Sequence, residues 1–99
     1  MNEISALSAC TVVVRSDGFV EAEIEKEIVV LNVEKGTCYG LNLVGSRIWS
    51  LLADPIRIDD LCARLLAEYK VEPSDCARQV LDLLEDLRAE DMINTPKEK

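Results

Sequence analysis

The stretch Val29 to Trp49, VVLNVEKGTCYGLNLVGSRIW, is a tight β-hairpin whose second strand runs straight into a helix start. Glu34-Lys35-Gly36 closes the hairpin, with Gly36 free to take positive φ. The second strand, Thr37–Leu41, reads as an unguarded sheet edge. Such an edge can hold an extended peptide by backbone pairing alone. An open edge here implies a peptide-docking module rather than an enzyme.

The residues before the hairpin continue the sheet. From Phe19 to Glu25, Val20, Ala22 and Ile24 share one face and Glu21, Glu23 and Glu25 the other, which predicts a strand with one wet, glutamate-bearing side. After a turn near Lys26, Glu27–Val33 is apolar on both faces, as a central strand is. The simplest order is a three-stranded antiparallel meander with Glu27–Val33 in the middle and Thr37–Leu41 at an edge. Thr11–Arg15 is a further β-prone run that ends at the turn signal Ser16-Asp17-Gly18. It is the candidate cover for the second face of the middle strand.

Residues 42–93 carry helical periods. Asn42 caps a first helix with Leu43, Val44, Ile48, Trp49, Leu51 and Leu52, ending at Asp54-Pro55. Gly45 in its first turn suggests close approach of another backbone. Ile58, Leu61, Cys62, Leu65, Leu66 and Tyr69 recur at i, i+3, i+4, i+7, i+8 and i+11, although Arg57 stands where a capping Ser or Thr is expected. Pro73, after the mediocre cap Glu72, opens a third helix with Cys76, Ala77, Val80, Leu81, Leu83, Leu84 and Leu87. At roughly 100° per residue these positions cover about 160°, against about 100° for a simple core-facing stripe. The surplus is either deeper burial or surface held for a partner. Only one margin can face the open strand: that of Cys76 and Leu83, with Gln79 just outside it, or that of Leu81, with Arg78 and Glu85. Met92-Ile93 pack last. Residues 1–99 therefore form one α+β domain, a small winged helix-turn-helix variant with a three-stranded antiparallel sheet followed by three helices, and 1–10 and 94–99 are expected to fray.

Charge and residue usage narrow the function. A net charge of −8 at pH 7 disfavours nucleic acid, whose affinity rests on Lys and Arg neutralising phosphates. No apolar run is long enough to span a membrane, and MNEISALSAC has no basic n-region, so a cytoplasmic chain with reduced thiols is expected. Cys10, Cys38, Cys62 and Cys76 include no C-x-x-C pair, which argues against a zinc knuckle or a thioredoxin-like site. Cys62 and Cys76 fall on apolar stripes and read as small buried hydrophobes. With no histidine the usual general base is missing. Glu21, Glu23 and Glu25 read as a solvated row rather than a metal or catalytic cluster, as does the acidic patch Glu85, Asp86, Glu90 and Asp91. Trp49 reads as core, and Tyr39 as a residue that can flank a peptide groove. No catalytic residue, metal or cofactor is expected.

In their order and spacing, Gly36-x-x-Tyr39-x-Leu41-Asn42 with Gly45 and Trp49, then Tyr69-x-Val71-x-Pro73, then Val80, Leu83, Leu84 and Leu87, resemble the PqqD family. These are the precursor-peptide recognition elements of clusters that make ribosomally synthesised, post-translationally modified peptides. The resemblance covers about Phe19 to Ile93. The chain departs from the family pattern at Arg57 (a capping Ser or Thr), at Gln79 (often Asp) and at Asp91 (usually Gly), so the third helix needs a different C-cap.

The resemblance implies that the leader of a precursor peptide adds as a strand to the sheet edge and lies beside the third helix. Carried over by position, the edge strand is Thr37, Cys38, Tyr39, Gly40 and Leu41, and the helix wall is Cys76, Gln79, Val80 and Leu83. It implies delivery of the linked core peptide to a modifying enzyme: a leader peptidase and macrocyclase of the lasso-peptide type, or a radical-SAM enzyme. A winged-helix DNA-binding regulator, and a scaffold subunit that never touches substrate, are the competing function classes.

Overall fold

The computed structural model describes residues 7–8 and 10–96. Along the chain run β1 (Val12–Arg15), β2 (Phe19–Ile24), β3 (Glu27–Asn32), β4 (Thr37–Gly40), α1 (Leu43–Leu51), β5 (Ile56–Arg57), α2 (Ile58–Glu68), α3 (Pro73–Ala89) and β6 (Ile93–Asn94). The expected meander is present as an antiparallel sheet in the order β2-β3-β4. Glu25 and Lys26, with φ of 52° and 72°, form the two-residue turn between β2 and β3, and Gly36 takes φ 68° in the next one. The fold is α+β, with three helices following this sheet as expected.

The two faces of the meander are the reverse of the sequence expectation. Phe19, Glu21 and Glu23 share the helix-facing side with the buried Ile28 and Val30, their register partners on β3 being Asn32, Val30 and Ile28. Val20, Ile24 and Leu31 look outward and are 54%, 64% and 43% exposed. The reason lies in β1. Instead of covering the middle strand, it sits between two short strands in a second sheet, β5-β1-β6, with Val13 opposite Ile56 and Val14 opposite Asn94. The outer face of the meander is therefore bare among the described residues, and its apolar positions stay in water.

The core gathers Val13, Ile28, Val30, Leu41, Ile48, Trp49 and Leu52 with Leu61 and Leu65 of α2 and Val80, Leu84 and Leu87 of α3. Leu7 is buried against this core, and Asn94 pairs with Val14, so both ends are held further out than the expected fraying allows. The remainder of that expectation, residues 1–6, 9 and 97–99, lies outside the described residues.

Local chemistry sets the helix ends. The Gly45 N–H donates to Asn42 Oδ1 at 2.8 Å, which caps α1 as the sequence predicts. A Cβ on Gly45 would lie 3.2 Å from Asn42 Oδ1 and 3.4 Å from Leu41 Cδ2, so this glycine makes room for two side chains and not, as expected, for another backbone. Neither Arg57 nor Glu72 caps its helix with a side chain. At the end of α3, Asp91 takes the left-handed φ of 60°. The Asp91 N–H then donates to Arg88 O at 3.0 Å and the Met92 N–H to Leu87 O at 2.8 Å. That paired closure is normally built around glycine.

Candidate functional site

Strand β4 ends the sheet, and its ladder can be read residue by residue. Leu41 N–H donates to Ile28 O at 2.8 Å, so Leu41 faces β3. Tyr39 opposite Val30 and Thr37 opposite Asn32 keep that phase, because main-chain groups alternate sides along a strand. The N–H and C=O of Cys38 and Gly40 accordingly point away from the sheet. Among the described residues no further backbone bond engages those donors.

The ladder's far end carries an insertion. Ile28 N–H donates to Ser46 Oγ at 2.8 Å, and the Ser46 hydroxyl donates to Leu41 O at 3.2 Å. Ser46 is 3% exposed, so one buried hydroxyl completes the pairing of β3 with the end of β4 and ties both to α1.

The two edges of the sheet differ in charge. β2, at one edge, carries Glu21 and Glu23 on its inward side, a device that discourages strand addition. β4, at the other, reads Thr-Cys-Tyr-Gly and has no charge at all.

Alongside β4 runs α3, in the opposite direction. A cavity of about 380 Å³ is lined by Tyr39, Gly40, Leu41, Val44 and Ile48 on one side and Gln79, Asp82, Leu83 and Asp86 on the other. A second, of about 280 Å³, lies beside Thr37, Cys38 and Tyr39 and reaches Phe19, Val30, Glu90 and Met92. Tyr39 lines both and divides them. Burial, then the charges of Asp86 and Glu90, hold its phenol above the ordinary tyrosine value.

The two margins of α3 differ in what they border. Gln79 and Leu83 line the groove beside β4, whereas Leu81, Arg78 and Glu85 do not. Two residues of the expected wall are core instead: Cys76 and Val80 are 4% and 1% exposed. They lie on the stripe of Leu84 and Leu87, which is buried in the core. Burial, followed by the neighbouring Cys76, pushes the Cys62 thiol up, away from nucleophilic use. Sequence reasoning missed Val44, Ile48, Asp82 and Asp86 as groove residues. The first two read there only as part of the first helix's apolar pattern, and Asp86 as part of a solvated acidic patch.

Glu21 departs from its expected role as well. Its Oε1 accepts from Trp49 Nε1 at 2.7 Å and from Arg15 at 2.9 Å, so it is not part of a merely solvated row.

Comparison with known proteins adds a family and a fold. No curated protein matches the chain. In structure it is similar to TbiB1 in complex with the TbiA(beta) leader peptide, with a TM-score of 0.76 and 35% identity over 86% of this chain and 99% of that one. Lasso peptide synthetase B1 complexed with the leader peptide has a similar fold, with a TM-score of 0.73 and 24% identity over 83% of this chain and 96% of that one. The family described as Coenzyme PQQ synthesis protein D (PqqD) matches residues 27–93, the span from the open hairpin through the helix beside it, and the chain belongs to that family.

Proposed function

We propose that this chain is a non-catalytic module that captures the leader of a ribosomal precursor peptide by strand addition to β4 and hands the linked core to modifying enzymes. One observation carries the reading: the outward main-chain groups of Cys38 and Gly40 belong to residues on the two cavities between β4 and α3, Gly40 on the one walled by Gln79 and Leu83 and Cys38 on the one reaching Glu90 and Met92. Support comes from a 35% identical relative of the same fold solved with a leader peptide. Gly40 has no side chain, which lets an incoming strand approach closely. Thr37, Tyr39 and Leu41 hold the strand in place through β3, and Tyr39 also borders both cavities.

Holding the leader raises the local concentration of the core to about the millimolar range for a short linker. Ordering an extended peptide costs entropy that only anchoring side chains in the groove can offset. The cytoplasmic partners we favour are a leader peptidase and a macrocyclase of the lasso type over a radical-SAM enzyme, a lasso peptide synthetase B1 having a similar fold. The carboxylates on the groove side of α3 oppose the phosphates of nucleic acid, which weighs against a regulator that reads DNA.

Isothermal titration with the synthetic leader of the precursor encoded beside this gene tests the reading. Saturable binding at nano- to micromolar affinity is expected, with the amides of Cys38 and Gly40 protected from exchange in the complex. Absence of saturation would leave a scaffold subunit that does not touch substrate.

A further inference from the structure

Asp82 and Asp86 on α3 and Glu90 at its C-cap stand at i, i+4 and i+8, along one stripe of the helix and its end. Asp82 and Asp86 border the cavity beside Tyr39, Gly40 and Leu41, and Glu90 borders the one beside Thr37, Cys38 and Tyr39. The row therefore follows the open strand over its whole length. All three side chains are exposed, with Asp82 and Asp86 flanking the apolar floor of Val44, Ile48 and Leu83. Among the described residues none of the three is ion-paired, while Arg15, Arg47, Arg57, Arg78 and Arg88 each meet a different carboxylate. The same charge is felt at Tyr39, between the two cavities.

The spacing also fits. Four helical residues rise about 6 Å, and same-side residues of an extended peptide recur about every 6.7 Å. A strand added to β4 would carry its α3-facing side chains nearly in step with the three carboxylates.

From this alignment we infer that the module selects a leader that is basic where it crosses α3, with Lys or Arg at alternate positions facing Asp82, Asp86 and Glu90 around an aliphatic anchor in the cavity of Val44, Ile48 and Leu83. An acidic helix face alone would be ordinary solvated surface. Its run along an open, uncharged strand and an apolar cavity is what ties it to a ligand. The inference rests on the leader-binding reading and adds charge specificity to the same site.

A double-mutant cycle separates the two. The leader of the neighbouring precursor is synthesised as encoded, and again with each Lys and Arg of its β4-paired segment replaced by Gln, that segment being mapped by amide protection. Both peptides are titrated into the native chain and into a variant combining Asp82→Asn, Asp86→Asn and Glu90→Gln. At about 50 mM salt the peptide change is expected to weaken binding to the native chain about fivefold and to the variant less than about twofold, a gap that closes at about 0.5 M salt. If circular dichroism finds the triple variant unfolded, the single changes Asp82→Asn and Glu90→Gln read the same coupling. Equal losses with both proteins, no loss with either, or a paired segment without Lys or Arg overturns the charge specificity and leaves strand addition standing. A native leader that fails to saturate the native chain overturns both.

Discussion

The indole N–H of Trp49 donates to Oε1 of Glu21 across 2.7 Å, from α1 to the edge strand of the meander. Arg15 of β1 binds the same carboxylate oxygen at 2.9 Å and lies 5.1 Å from the centroid of the Trp49 ring. One glutamate thereby joins both sheets to the first helix. Glu21→Ala leaves the N–H of a 2% exposed tryptophan without its acceptor and is expected to cost about 1–3 kcal/mol in denaturant unfolding. Glu21→Gln, which keeps an acceptor, should lose less. A carboxylate that was only solvated would change stability by about 0.5 kcal/mol or less.

Proline distinguishes the two sides of β4. Cys38→Pro removes an outward N–H, so leader binding should be abolished while the helical circular dichroism is kept. Tyr39→Pro removes an N–H that faces β3 and should lower the melting temperature instead. Retained affinity in a folded Cys38→Pro protein would count against strand addition at that position.

Ser46 has a measurable part in holding the edge. Ser46→Ala leaves Ile28 N–H and Leu41 O, both buried, without their shared partner, for an expected loss of about 1–3 kcal/mol in chemical unfolding. Exchange of the Leu41 amide should quicken at the same time, because the end of β4 loses its tie to α1.

Asp91 makes a glycine's turn with a side chain attached. Asp91→Gly relieves the positive φ and is expected to stabilise the protein by about 0.5–1 kcal/mol, read as a higher unfolding midpoint. Asp91→Val should do the opposite.

The exposed pair Arg47–Glu68, at 2.7 Å, gives a signed pH response. Bonding to Arg47 holds the Glu68 carboxyl below its ordinary value. Its contribution is complete above the ordinary carboxylate range and is lost as pH falls through the lowered value. Thermal melts between about pH 5 and pH 3 should accordingly fall less steeply in Arg47→Met than in the native chain.

The hairpin and α2 are legible in the sequence because their signals are local. Gly36 supplies a turn conformation, Asn42 a cap, and Ile58 to Tyr69 a sustained helical period. Strands β5 and β6 are two residues each, too short for any pattern, and without them the partners of β1 could not be foreseen. Alternation in β2 separates Glu21 from Val20 but does not say which side is covered, and that depends on where Trp49 and β1 lie. On α3 the expectation leaned on apolarity, which marks burial at Cys76 and Val80. The groove lies at the margin, where Gln79, Asp82 and Leu83 mix polar and apolar character.

The unequal edges of the meander also bear on self-association. A sheet with two welcoming borders could stack copy upon copy, β4 of one against β2 of the next, into an open filament. Here the inward glutamates of β2 disfavour such a neighbour, and a filament built in that way has no second border to grow from.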